Sequence, residues 1–531
     1  MNILHRVKKA LQRNSLSGMN KGVSHGKLQS TLNHAGTSKF AKPLDWLQDQ
    51  LSNRTDLVIH GFTPGPGISC SLVFLNGMID QPTVEKQVLS PIMSMAASAD
   101  HEIFANRIFV QKQLPALEQQ IRESLQDVLK DILSGKVVFL LDGEARMISI
   151  QAIHLEKRAV QEAPNESTVR GPREAFIEDL ATNLTLLRRK LKTPALKIES
   201  MSIGTISQTN VAIVFLEGIC SPGLVSEMKR RLSAVKLDAV LGSSYLEELI
   251  EDNPYSPFPQ LQYTERPDVM CAAVLEGRIG LIVDGTPIAL MAPINITMLM
   301  QASEDYYQRY VSASWIRLIR YLFAFISLLL PSVYVAITTF HPDMIPENLL
   351  ITVASAREIV PFPALVEAMI MELSFEALRE ATVRIPKAIG QSVSIIGALI
   401  IGTAAVQAGI VSASMVIIVS MTGIASFIIP HFDLGLAFRL LRFPIMILGG
   451  VFGMFGIACG MLLLYLHLTE LQSFGYPYMA PFAPLEIDGL KDTVIRAPWW
   501  KMRMRPLYAQ GNRTRERQDA RGWDNGDGNE E

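Results

Sequence analysis

Residues 388–430 contain no Asp, Glu, Lys or Arg in 43 positions, whereas a helix needs only about 20 apolar residues to cross a bilayer. That length has room for two spans, and the small residues around Gly409 near its midpoint predict a helical hairpin turning at residues 408–412. Just upstream, Glu358, Glu367, Glu372, Glu376 and Glu380 interrupt an otherwise apolar, helix-like segment. Ionisable groups at membrane depth are costly enough that they point to function. We therefore take Glu358, Glu367, Glu372 and Glu376 as candidate membrane acids.

Other stretches extend the pattern into a polytopic α-helical membrane domain over residues 301–485. Residues 321–340 form a charge-free span headed by Arg317 and Arg320, with Pro331 inside it and Tyr310, Trp315 and Tyr321 suited to an interfacial belt. Segment 349–371 is weaker, because Arg357, Glu358, Pro361 and Pro363 break it. Segment 388–408 carries small residues at every fourth position (Gly390, Ser394, Ala398, Gly402), with Gln391 and Gln407 near its ends. Such a row normally packs helices together; in a ring of subunits the face formed by Gln391, Ser394, Ala398, Gly402 and Gln407 would instead line a water-accessible path. A fourth span is expected at 412–430 and a fifth at 445–466, the latter with Gly449, Gly453, Gly456 and Gly460 in two small-xxx-small pairs. Basic residues before the third and fifth spans place those loops in the cytosol. Five crossings then leave the tail outside, whereas the basic, polar tail 486–531 reads as cytosolic.

The region ahead of the membrane part is a duplicated soluble α/β unit. The run SLVFLNGMID from Ser71 matches VAIVFLEGIC from Val211 at an offset of 141, and GKVVFLLDGEARMI from Gly135 matches GRIGLIVDGTPIAL from Gly277 at 142. Two landmarks at nearly one offset mean two copies of one domain. The expected layout is a first lobe over 43–165, a linker with a helix over 166–195, and a second lobe over 196–300. Each lobe reads as apolar strand, Gly turn, amphipathic helix (114–133 in the first; 225–235 and 244–250 in the second) and a further strand closed by Asp-Gly. The linker helix is expected over 172–192 with a solvated basic end. Residues 1–42 carry eight Lys or Arg and no acid and read as a basic flexible tail, the other reading being a short amphipathic helix at its start that touches anionic lipid.

Function classes narrow from what is missing. No phosphate-binding loop, HExxH, GxSxG or dinucleotide fingerprint occurs, so an enzyme is not expected, nor a cofactor. The formal net charge of -2 spread over the chain gives no nucleic-acid footprint. Cys70, Cys220, Cys271 and Cys459 lie far apart, without metal or disulfide spacing.

The motifs SPFPQ (from Ser256), TERPD (from Thr264), VDGTP (from Val283), RGPREAF (from Arg170), PFPALVEAMIMELSFEALREA and PKAIGQSVSIIGALIIGTAAVQAG resemble the A subunits of bacterial spore germinant receptors, the GerA type, over about residues 50–485. The resemblance implies a subunit of a nutrient-sensing complex in the spore inner membrane, working with a transporter-like B subunit and a lipoprotein C subunit. It further implies that the A subunit oligomerises as a nutrient-gated channel for monovalent cations. The other reading is a non-conducting scaffold or signal relay of the same receptor.

Overall fold

The computed structural model describes residues 43–51, 56–96, 100–115, 118–152, 163, 165–166, 168–384, 400–506, 508–509 and 514–515. The basic tail 1–42, most of segment 388–408 and the last 16 residues lie outside these.

The first lobe is built on the strands β1 (Leu57–Gly65), β2 (Ile68–Leu75), β3 (Gln119–Arg122), β4 (Lys136–Leu141) and β5 (Met147–Gln151), in the sheet order β1-β2-β4-β5-β3. The second repeats it with β6 (Leu196–Ile203), β7 (Thr209–Leu216), β8 (Gln262–Thr264), β9 (Ile279–Val283) and β10 (Ala289–Ala292), in the order β6-β7-β9-β10-β8. Every pairing is antiparallel. The order is the same in both, and Val73 of β2 corresponds to Val214 of β7, as the repeat requires.

Alternation along the central strands explains why each sheet is covered on both sides. In β2, Cys70, Leu72 and Phe74 face one core while Val73 and Leu75 face the other. Period-two alternation of buried apolar side chains on both faces demands two helical layers. In the first lobe one layer is made by the short helical pieces Gln81–Val84, Glu85–Leu89, Ser90–Ala96, His101–Ala105 and Asn106–Val110, and the other by α1 (Pro43–Gln50) and α2 (Leu125–Leu133). In the second lobe α3 (Leu180–Lys190) and α6 (Pro267–Leu275) cover one face, α4 (Pro222–Ala234) and α5 (Ser243–Ile250) the other.

Three local expectations are corrected here. The helix expected over 114–133 is the edge strand β3 followed by α2; the repeat partners of α4 and α5 are the helical pieces from Gln81 to Val110. Residues 172–179 are not helical, because their backbone is tied to the TERPD segment: Phe176 N–H donates to Glu265 O at 2.7 Å and Arg266 donates to Pro172 O at 2.9 Å. The basic end of α3 is not wholly solvated either. Arg188 is 4% exposed and ion-paired with the buried Asp56 of the first lobe, and Lys190 reaches Glu174 at 2.8 Å.

Beyond the lobes lie α7 (Tyr310–Phe340), α8 (Glu347–Glu358), α9 (Ala364–Arg384), α10 (Ala413–Phe427) and α11 (Phe432–Glu470). By length and composition α7 and α11 are the two described helices able to cross a membrane. The 39-residue α11 is not one rod. Gly453 has φ 64° and ψ −147°, a backbone that only glycine adopts readily. Side chains far apart in sequence meet across this point: a Cβ on Gly449 would lie 3.2 Å from Ile457, and Leu441 shares a core with Leu464. Ala437 shares another with Leu468. In a straight helix residues 437 and 468 would be about 46 Å apart. The element is a hairpin with arms 432–452 and 454–470, so the single span expected over 445–466 is replaced by a tight reversal, and the paired glycines line its inner face.

Contacts between the helices fix their directions. We call the end beside the lobes the near end. The first arm of α11 runs parallel to α7, since Arg442 Nε donates to Ser327 O at 2.8 Å and Gly453 lies against Phe340. Both climb to the far end. Descending from it, α9 brings Glu367 beside Ser412 and, lower down, Glu376 to Arg439. α10 descends likewise, from Ser412 to Ser426, which sits against Gly435. The second arm of α11 returns to the lobes, where His467 meets Ser256 at 2.9 Å.

Candidate functional site

The acids singled out from sequence are drawn together by α9. Glu372, Glu376 and Arg379 follow one another at i, i+4 and i+7, which places them on one helix face. That face meets the first arm of α11, whose Arg439 and Arg442 are one turn apart. Arg442 pairs with Glu372 at 2.5 Å, with side chains 3% and 2% exposed. Glu376 is shared between Arg439 at 3.1 Å and Arg379 at 3.3 Å. Glu367, two turns up, accepts the Ser412 backbone N–H at 2.6 Å and has Arg357 at 3.8 Å. Glu358 is exposed. The arrangement is a ladder of charge pairs through an apolar bundle, in which Glu372 and Glu376 are matched by arginines of α11, as burial of charge requires.

The proposed small-residue face is only partly described. Gln391, Ser394 and Ala398 lie outside the described residues. Gly402 is half-buried within the π-helical turn Ile400–Ala404, where a Cβ would touch Val416 of α10 at 3.7 Å. Gln407 is exposed at the end of Ala405–Gln407, just before the turn at Gly409 (φ 67°).

Sequence reasoning missed the partners. Arg439 and Arg442 read as loop cations, and Arg317 and Arg320 as flanking charges; all four are buried. Arg317 donates to Asp305 at 2.8 Å and to Asp492 at 2.7 Å, and Arg320 donates to Asp305 at 2.8 Å. The available signal was complementary spacing: two arginines at i, i+3 opposite two glutamates at i, i+4.

A second constellation joins the second lobe to the helices. Its SPFPQ segment supplies Phe258, which packs with Leu434, Leu468 and Tyr478, while Gln262 meets His431 at 2.9 Å. The chain after α11 folds back over this lobe. Ser473 donates to Gln260 O at 2.7 Å, Arg278 donates to the Tyr508 hydroxyl at 2.6 Å, and Arg515 reaches Glu276 at 2.9 Å. Residues 472–506, 508 and 509 therefore lie at the near end, with the lobes, and not at the opposite end that an odd number of passes would impose.

At this junction Glu247 of α5 is pushed up to about 8, first by burial and then by the charges of Asp433 and Glu251. Its folded value lies above the usual 4.5, so it favours the folded state most at low pH, and that contribution is lost as pH rises from about 4.5 through about 8. Glu247→Gln is expected to melt with the parent at pH 5 and above it at pH 8.5. Parallel melting curves of the two proteins across that range would show that Glu247 titrates normally.

The sequence comparisons agree with one another. The family described as Bacillus/Clostridium GerA spore germination protein matches residues 45–508. A Bacillus subtilis protein named uncharacterized membrane protein YfkQ is 47% identical over 475 residues, covering 88% of this chain and 92% of that one. Spore germination protein KA of Bacillus subtilis is 40% identical over 485 residues, covering 91% and 89%. The crystal structure of the N-terminal domain of the A subunit of the Bacillus megaterium spore germinant receptor GerK3 aligns with 47% of this chain and 92% of its own, at 30% identity and a TM-score of 0.36. With a family match over nearly its whole length and such relatives, this chain belongs to the GerA spore germination protein family.

Proposed function

We propose that the chain is the A-type membrane subunit of a nutrient germinant receptor in the spore inner membrane, acting with a transporter-like B subunit and a lipoprotein C subunit. In this reading copies of the chain assemble into a nutrient-gated cation channel, with both lobes and the tail on the cytosolic side. The observation that carries it is the match of residues 45–508 to the GerA spore germination family, with spore germination protein KA among the relatives. Support for the orientation comes from the near end, where Tyr310, Trp315, Trp499 and Trp500 are exposed beside Lys501 and Arg503, the mixture expected at a cytosolic membrane surface. With lobes and tail on one side the number of crossings is even. Among the described elements α7 and the first arm of α11 ascend; α9, α10 and the second arm descend.

One observation favours the alternative of a non-conducting scaffold or relay: Glu372 and Glu376 are already matched by arginines, which suits a rigid transmitter clamped to the second lobe. Membrane potential recorded in cells expressing the assembled complex decides between them. Nutrient-dependent depolarisation that Ser394→Leu abolishes, at equal assembly, is the expected result. Unchanged depolarisation in the variant removes that face from the conduction path, and none in either protein moves the scaffold reading ahead.

A further inference from the structure

At the far end of the bundle Glu367 is 0% exposed, yet only one of its carboxylate oxygens is used. Oε1 accepts both the N–H and the hydroxyl of Ser412, at 2.6 and 2.5 Å. Oε2 is buried without a hydrogen-bond donor. Arg357 Nε lies 3.8 Å away, too far to hydrogen-bond, and is itself buried without an acceptor. The hydroxyl of Tyr334 lies beside Ser412 and Ser414, within reach of the Glu367 charge.

Buried polar atoms are nearly always satisfied, so a buried carboxylate oxygen and a buried guanidinium nitrogen that face each other 3.8 Å apart without a hydrogen bond mark the place of a small polar guest. The chemistry of the surroundings narrows its identity. Glu367 Oε2, the Tyr334 phenol and the hydroxyls of Ser412 and Ser414 are all oxygens, the ligand set of hard cations. Only one of them carries charge, which balances a single positive charge. Among the described residues no cluster of three or more His, Cys, Asp or Glu occurs, so a divalent ion has no matching site there.

Arg357 now supplies the positive charge from a distance. It rides near the end of α8, a helix with no buried residue, connected to α9 through Val360, Pro361, Phe362 and Pro363. Ile359, two residues on, is the contact of the Gly409 turn: a Cβ on Gly409 would come within 2.9 Å of it. The position of Arg357 is thereby linked to the end of the segment that carries Gly402 and Gln407.

We propose that Glu367, Tyr334, Ser412 and Ser414 form a monovalent-cation site at the far end, with Arg357 as a tethered counter-ion that occupies it until α8 moves. The guanidinium and a cation such as potassium compete for one carboxylate, so withdrawal of α8 exchanges one for the other with no net change of buried charge. This rests on the cation-passing reading above and gives it a regulated entry point.

The test is a thermal melt of the purified full chain in potassium chloride and in choline chloride at equal ionic strength. Arg357→Gln is expected to melt at least about 2 °C higher in potassium, because a ligand that binds only the folded state stabilises it. Arg357→Lys, which restores the tether, and Arg357→Gln combined with Glu367→Gln are expected to show no difference between the salts. Equal melting of Arg357→Gln in both salts overturns the proposal. Should that variant not fold, hydrogen exchange on the parent protein decides: faster exchange of the α8 amides in potassium than in choline supports competition, and equal exchange overturns it. Binding is read here without current, so a cation-dependent shift alongside absent depolarisation keeps the site and discards the channel; depolarisation without the shift does the reverse.

Discussion

Arg442→Leu is expected to destabilise the helical domain by about 3–5 kcal/mol, the usual result of stripping one partner from a buried ion pair. The reasoning is local. Glu372 has 2% of its side chain exposed and takes its 2.5 Å contact from Arg442. Losing the guanidinium leaves a carboxylate in apolar surroundings and deprives Ser327 O of its donor at 2.8 Å. The Glu372→Leu, Arg442→Leu double variant removes both charges, and replacing a buried pair by apolar side chains of similar size is often neutral or stabilising. Melting of the parent, both single variants and the double variant in one detergent closes the cycle. A double variant no better than Arg442→Leu would show that the pair is not what holds α9 to α11.

The same ladder shows how far a sequence can be read. The duplication was legible because central strands buried on both faces appear as continuous apolar runs ending in glycine, and both copies kept that signature at one offset. The edge strand β3 was not. Its sequence, QQIR, has no apolar run and owes its strand conformation to pairing with β5, with Gln120 opposite Ser149 and Arg122 opposite Met147. Likewise 172–179 carries a helix-like pattern that hydrogen bonds to Glu265 and Arg266 override, a tertiary effect that local propensity does not contain.

For the candidate site, the acids were visible because each is an anomaly in an apolar segment. Their partners were hidden by a sound rule applied to the wrong residues: arginines beside a span read as cytosolic anchors, and nothing local distinguishes an anchor from Arg439 or Arg442, which turn inward. Only the pairing of two segments about 65 residues apart makes the distinction, and here it needs the descent of α9 against the ascent of α11. The side of the tail was undecided for a related reason. Counting spans treats a 22-residue apolar stretch as one crossing, whereas residues 445–466 include a reversal.

That reversal gives the sharpest steric prediction. Gly456→Val is expected to cost about 3 kcal/mol or more, at the upper end of overpacking effects, and to release the chain that follows α11 from the second lobe. A Cβ at Gly456 would stand 2.1 Å from the carbonyl oxygen of Leu448 and 2.9 Å from Phe452 Cβ. The first of these is backbone of the opposing arm, which cannot swing aside as a side chain does. The arms must separate, and with them go the contacts of Leu468 with Leu434 and of His467 with Ser256. Gly423→Ala in α10 is the control, since nothing lies within 4 Å of a Cβ there; removing a glycine from a helix interior should stabilise by about 0.5–1 kcal/mol. Limited proteolysis of the folded protein reads the outcome directly: cleavage between residues 472 and 509 should be fast in Gly456→Val and slow in Gly423→Ala. Equal protection in both variants would mean that α11 is a continuous rod, and the even count of crossings, the shared side of lobes and tail, and the orientation built on them would all have to be given up.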